Sequence, residues 1–154
     1  GCVRHNHHSS LTALMPGLYF NSDGNQVDSP DAAAGLYIRG RQGQLIQPIM
    51  PPTHLGFQIG ETAQILSGGW LQATPHAVRG TRVPGLSRAT FAIFMGPEFD
   101  LPLRVPEGVE PASTQSDTAA DVLPKGVPAL RTRWGTEECP FTTCNFAGFS
   151  TATF

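Results

Sequence analysis

Glycine and proline punctuate this chain too densely for a bundle of long helices. There are 17 glycines and 14 prolines in 154 residues, and inside a helix they cost about 1 and about 3 kcal/mol relative to alanine. The same two residues are the main markers of turns. Hydrophobic residues still make up 40% of the sequence, enough to bury a core and too many for a disordered polymer. The length suits one domain, and the expected class is all-β, with many short strands and turns.

Charge excludes one class of partner. Ten basic residues against twelve acidic ones give a formal net charge of -2, and without a basic run no nucleic-acid footprint is expected. No apolar run approaches the roughly 18–20 residues of a membrane span. The opening Gly1-Cys2-Val3-Arg4-His5 is neither a start nor a signal peptide, so the chain reads as a fragment or a processed product. Cys2, Cys139 and Cys144 are too few for a disulfide framework, which favours a reducing, cytoplasmic compartment. A bridge between Cys139 and Cys144 is left open.

Turn residues divide the chain into short extended pieces. Two strands lie between His5 and Phe20, broken at Met15-Pro16-Gly17. Gly35 to Ile49 reads as a hairpin around Gly40-Arg41-Gln42-Gly43, and Leu55 to Ile59 as a further strand. Thr62 to Leu66 suggests one helical turn, Trp70 to Val78 a strand passing through His76, and Arg88 to Met95 one continuous strand. Trp70 and Phe57 are expected in the core, Glu61 in a structural turn and His54 in a surface loop. Phe146 and Phe149 share one face of a short C-terminal helix. The expected organisation is a core over residues 1–105, a surface excursion or linker over 106–128 and a packing segment over 129–154.

Chemistry concentrates in the histidines. On a strand, residues two apart share a face, so His5 and His7 can converge on one metal while His8 points away. His76 is the candidate third ligand from a distant strand. The alternative is a polar strand edge or a tag remnant, although the flanking sequence is too structured for a tag.

Four motifs then carry a resemblance. Leu55 to Arg79 combines Phe57-Gln58-Ile59, the turn Gly60-Glu61, Ile65-Leu66-Ser67-Gly68 and His76. Arg88-Ala89-Thr90 follows, with apolar Phe91-Ala92-Ile93-Phe94 behind it. Upstream lies His5-Asn6-His7-His8-Ser9-Ser10-Leu11-Thr12, and downstream Phe146 to Phe154. In this order they resemble the iron/2-oxoglutarate-dependent dioxygenases, in the branch called isopenicillin-N-synthase-like. The resemblance implies a double-stranded β-helix, or jelly roll, incomplete on its N-terminal side and closed by a short helix. A protein partner or a missing N-terminal region is then expected over the open side.

The same resemblance assigns roles. His5, His7 and His76 would hold Fe(II). Arg88 would take the distal carboxylate of 2-oxoglutarate in its planar fork, with the Thr90 hydroxyl as second donor. Dioxygen would complete the reagents, and a small organic molecule would be the substrate. The family's iron-binding carboxylate falls at position 7, where this chain has histidine. Imidazole suits several divalent metals, so two alternatives stand beside the oxygenase. One is a catalytically inactive jelly roll that binds or assembles; the other is a three-His metalloprotein that does not use 2-oxoglutarate.

Overall fold

A computed structural model of the chain describes residues 7–29, 31–40, 42–115 and 128–153. Nine short strands make up most of its regular structure: β1 Leu11–Leu14, β2 Leu18–Phe20, β3 Gln26–Val27, β4 Gly35–Arg39, β5 Leu45–Ile46, β6 Gly56–Ile59, β7 His76–Arg79, β8 Ser87–Ala89 and β9 Ala92–Met95. They form three antiparallel sheets of three strands, ordered β6-β1-β9, β3-β2-β8 and β5-β4-β7. Three short helices accompany them, α1 Glu61–Leu66, α2 Pro111–Thr114 and α3 Phe146–Thr151. The β-rich expectation is met. Among the described residues no helix is long and apolar enough to cross a membrane.

Proline and glycine set the breaks. Met15-Pro16-Gly17 separates β1 from β2 as the sequence suggests, because Pro16 has no N–H for a ladder. The expected single strand from Arg88 to Met95 is instead two, since β8 pairs with β2 and β9 with β1. Across the gap the Met15 amide still donates to the Phe91 carbonyl at 3.0 Å, and the Thr90 hydroxyl donates to the Met15 carbonyl at 3.0 Å. A long pair of strands therefore bends here and passes from one sheet to the next. The strand expected from Trp70 begins only at His76.

Side-chain parity corrects two expectations. Trp70 is 83% exposed and Phe57 59% exposed, so neither is core. Phe57 lies beside Ala13, which faces Ile93 on its other side, and these define the outward face of the first sheet. Gln58 and Thr12, one residue along, face inward and are buried.

The main apolar cluster lies beneath α1, away from that outward face. Ile65 and Leu103 meet Leu130, Trp134, Phe146 and Phe149 there, together with the Cys139–Cys144 disulfide. Two of the three cysteines are thus paired, which removes the ground for inferring a reducing compartment. Phe146 and Phe149 are both buried on α3, as their spacing implies. Asn145 caps that helix by accepting from the Gly148 amide at 2.9 Å. From the 106–128 stretch, Thr114 is buried and its carbonyl accepts from the Gln64 side chain at 2.9 Å; residues 116–127 lie outside the described residues.

One ion pair ties this cluster to the sheets. Arg133 Nη2 lies 2.5 Å from Glu61 Oε1, and both side chains are 3% exposed. The remaining guanidinium nitrogens donate to the Thr153 hydroxyl at 3.0 Å and the Pro128 carbonyl at 3.2 Å, while the cation sits 5.3 Å from the Phe149 ring centre. Glu61 is structural, as expected, but through burial and not as a turn residue. Arg133→Met strands a buried carboxylate and should cost about 3–5 kcal/mol in a denaturation experiment. Combining it with Glu61→Leu should recover much of that loss. A single-variant cost under about 1 kcal/mol, the range of a surface pair, would contradict this assignment.

Candidate metal and oxo-acid site

The backbone of α1 fixes the histidine segment. Glu61 N–H donates to the His7 carbonyl at 2.8 Å, and Gly60 N–H to the Ser10 carbonyl at 2.9 Å. The Thr62 hydroxyl donates to the His8 carbonyl at 2.5 Å. This approach needs a glycine, because a Cβ at position 60 would lie 1.8 Å from the Ser9 carbonyl oxygen. The helix start therefore spends its otherwise unpaired amides on the segment that carries His7.

His76, the first residue of β7, meets His7 from the opposite sheet. Their Nε2 atoms are 3.1 Å apart, with the ring planes nearly perpendicular at 88°. His76 Nδ1–H donates to the Thr74 carbonyl at 3.0 Å, which leaves Nε2 as its lone-pair nitrogen when the ring is neutral. His7 Nδ1 is hydrogen-bonded to the Thr12 hydroxyl. When that hydroxyl accepts, Nε2 of His7 is likewise the lone-pair nitrogen.

This pair fits a metal. The two Nε2 atoms stand at hydrogen-bond distance, 3.1 Å, close enough for one divalent ion to take the place of the shared proton. The backbone and hydroxyl partners on the outer ring nitrogens are those that orient metal-binding histidines. Among the described residues no three His, Cys, Asp or Glu side chains cluster, and His5 lies outside them.

Arg88 stands at the other end of a small cavity. The space, about 130 Å³, is bounded by His7, Gln58, His76, Arg88 and Thr90 among apolar neighbours that include Leu36, Met50 and Phe94. Arg88 is the middle residue of β8, opposite Tyr19 on β2, and among the described residues it makes no ion pair. Its Nε is buried without a hydrogen-bond partner. The guanidinium packs over Gly17, where a Cβ would come within 2.6 Å of Nε. The Thr90 hydroxyl also faces the cavity, but its proton is committed to the Met15 carbonyl. It must rotate to serve a ligand as a second donor.

A larger cavity, about 810 Å³, also touches His7, and the rings of Phe94, Phe99 and Phe146 contribute to its walls. His8 belongs to this cavity, its ring stacked on Phe146 with centres 6.0 Å apart. Burial, reinforced by the nearby Arg133 charge, pushes the His8 imidazole below its ordinary pKa. It is a neutral wall residue at neutral pH. His54 is exposed, and its ring Nδ1 meets the Thr53 hydroxyl at 3.2 Å, as a loop residue would.

The structure thus brings His7, His76, Arg88 and Thr90 around one space. Three contributors were not anticipated. Thr12 orients His7, Gly17 makes room for Arg88, and Gln58 lines the cavity. Thr12 and Gln58 stood within the quoted motifs without an assigned role, and the strand expected to carry His7 begins only at Leu11.

No protein-family model matches the chain, and no curated protein matches its sequence. Its fold does match solved structures. Full-length T7H from Neurospora crassa, in complex with alpha-KG, aligns at a TM-score of 0.52 and 18% identity, over 71% of this chain and 32% of that one. JOX2 in complex with 2OG, Fe and JA aligns at 0.53 and 24%, over 71% and 28%. A protein from Caulobacter crescentus, assigned to the 2OG-Fe(II) oxygenase family, aligns at 0.53 and 19%, over 77% and 35%. The chain spans about a third of the length of these structures. What it shares with them is a part of their fold.

Proposed function

We propose that this chain forms the metal- and cosubstrate-binding part of a non-haem Fe(II)/2-oxoglutarate-dependent oxygenase acting on a small organic molecule. Its sheets are then part of a jelly roll of the isopenicillin-N-synthase-like kind. One observation carries the reading: a single cavity is bounded by His7 and His76, whose Nε2 atoms are 3.1 Å apart, and by Arg88, whose Nε is buried without a hydrogen-bond partner. Two imidazoles at this spacing suit a cation, and a guanidinium suits a carboxylate. A ligand bearing an acid at one end and a chelating head at the other satisfies both.

Each residue has a defined task. His7 and His76, with His5, hold the metal. Arg88 binds the far carboxylate, and Thr90 adds a donor once its hydroxyl turns from Met15. Thr12 and the Thr74 carbonyl keep the imidazoles oriented. Phe94, Phe99 and Phe146 offer apolar surface beside the metal for the organic substrate. Bound Fe(II), with 2-oxoglutarate and dioxygen, supplies the oxidative chemistry.

His7, where the family's pattern has a carboxylate, favours a second reading: a domain that binds metal and oxo acid without turnover. A neutral ligand leaves more positive charge on the metal than an anionic one does. Succinate formation separates the two readings. Turnover by the unchanged protein supports the oxygenase, whereas binding without succinate, restored by His7→Asp, supports the silent domain.

Binding tests the site itself. Calorimetry with Mn(II) followed by 2-oxoglutarate should show both ligands bound. His76→Ala should abolish metal binding, and Thr12→Val should weaken it about 10-fold or more. Arg88→Met should lower 2-oxoglutarate affinity about 10- to 100-fold while sparing the metal, as expected for losing a charged hydrogen bond. Failure of the unchanged protein to bind either ligand would overturn the proposal.

A further inference from the structure

The cavity holds one polar side chain to which nothing above assigns a task. Gln58, in the middle of β6, is 8% exposed. Neither its amide nitrogen nor its amide oxygen has a hydrogen-bond partner among the described residues. Of the polar residues around the cavity, His7, His76 and Thr90 all have partners. Gln58 and the Arg88 Nε do not. Leucine or methionine would fill a similar volume without burying an unpaired amide, a group that protein interiors rarely tolerate.

Register places this amide along the cavity. Gln58 pairs with Thr12 across β1, and Thr12 is the residue bonded to His7. The Arg88 end is marked instead by Met15, which bonds Thr90 three residues further along. Gln58 therefore stands at the histidine end. Arg88 can only donate, while a neutral amide both donates and accepts. The two ends of the cavity are chemically different.

Resting on the oxo-acid reading above, we propose that Gln58 is a ligand-contact residue at the histidine end. Its Nε2–H group donates to an oxygen of the 2-oxo-acid head while Arg88 holds the opposite carboxylate. Gln58 thus reads the head of the cosubstrate and adds to its affinity, with no part in holding the metal. Its Oε1 is left to accept from a bound water or hydroxyl.

The test compares the unchanged protein with Gln58→Leu and Gln58→Asn. Mn(II) and 2-oxoglutarate are titrated in turn by calorimetry, and thermal unfolding is recorded without ligand. For Gln58→Leu, the expected result is a roughly 10-fold loss of 2-oxoglutarate affinity, unchanged Mn(II) affinity and a melting temperature equal to or above that of the parent. Glutarate, which keeps both carboxylates and lacks the oxo group, tests which end is read. Gln58→Leu should weaken glutarate less than it weakens 2-oxoglutarate. Gln58→Asn, which keeps the amide on a shorter arm, should retain part of the lost affinity. Equal 2-oxoglutarate affinity in the parent and Gln58→Leu would overturn the role of Gln58 and leave the oxo-acid reading intact. A lowered melting temperature with unchanged affinity would make Gln58 structural and overturn it too. Absence of 2-oxoglutarate binding in the parent would instead overturn the underlying reading, and this inference with it.

Discussion

The contact between Glu61 and Arg133 holds three separated parts of the chain at one point. Glu61 opens α1, whose first amides bind the His7–Ser10 backbone. Arg133 belongs to the segment that carries the apolar cluster, and its other nitrogens reach Pro128 and Thr153. With both partners 3% exposed, neither charge has solvent to fall back on. Burying such a pair gains little over apolar packing, but breaking it is costly. Its effect is therefore on geometry: it fixes where the C-terminal segment sits relative to the His7–Ser10 backbone that leads into β1.

That placement explains how short strands build a defined site. Among the described residues no sheet exceeds three strands, and small sheets gain independent stability only with an apolar face or a helix packed on them. Here α1 and the C-terminal segment provide that support on one side. The site lies where the sheets converge: His7 precedes β1, His76 opens β7 and Arg88 sits within β8. His7 is held by Thr12 of β1 and Thr90 by the Met15 carbonyl across 75 residues, so the spacing of the site is set largely by the fold and not by local sequence.

Much of this was legible in the sequence, and the failures have physical causes. The break at Pro16 and the shared face of Phe146 and Phe149 follow from turn chemistry and helical periodicity, while the grouping of Arg88 with His7 and His76 was implied by the family resemblance. Phe57 was misjudged because alternation gives the period of a strand, not which face is covered. Placing Phe57 in the core turns Gln58 outward, and the whole of β6 reverses. The division of Arg88–Met95 was hidden because its cause lies 75 residues away, in the bond between Thr90 and Met15. The cluster around Trp134 was likewise invisible, since its members are brought together by long-range packing.

Phe94 contributes to the walls of both cavities, and so does His7. One aromatic ring and one imidazole, 5.0 Å apart, form a partition one side chain thick. Phe94 is also 64% exposed, so trimming it would widen both spaces at once. The volumes of the two spaces are thus coupled through one side chain.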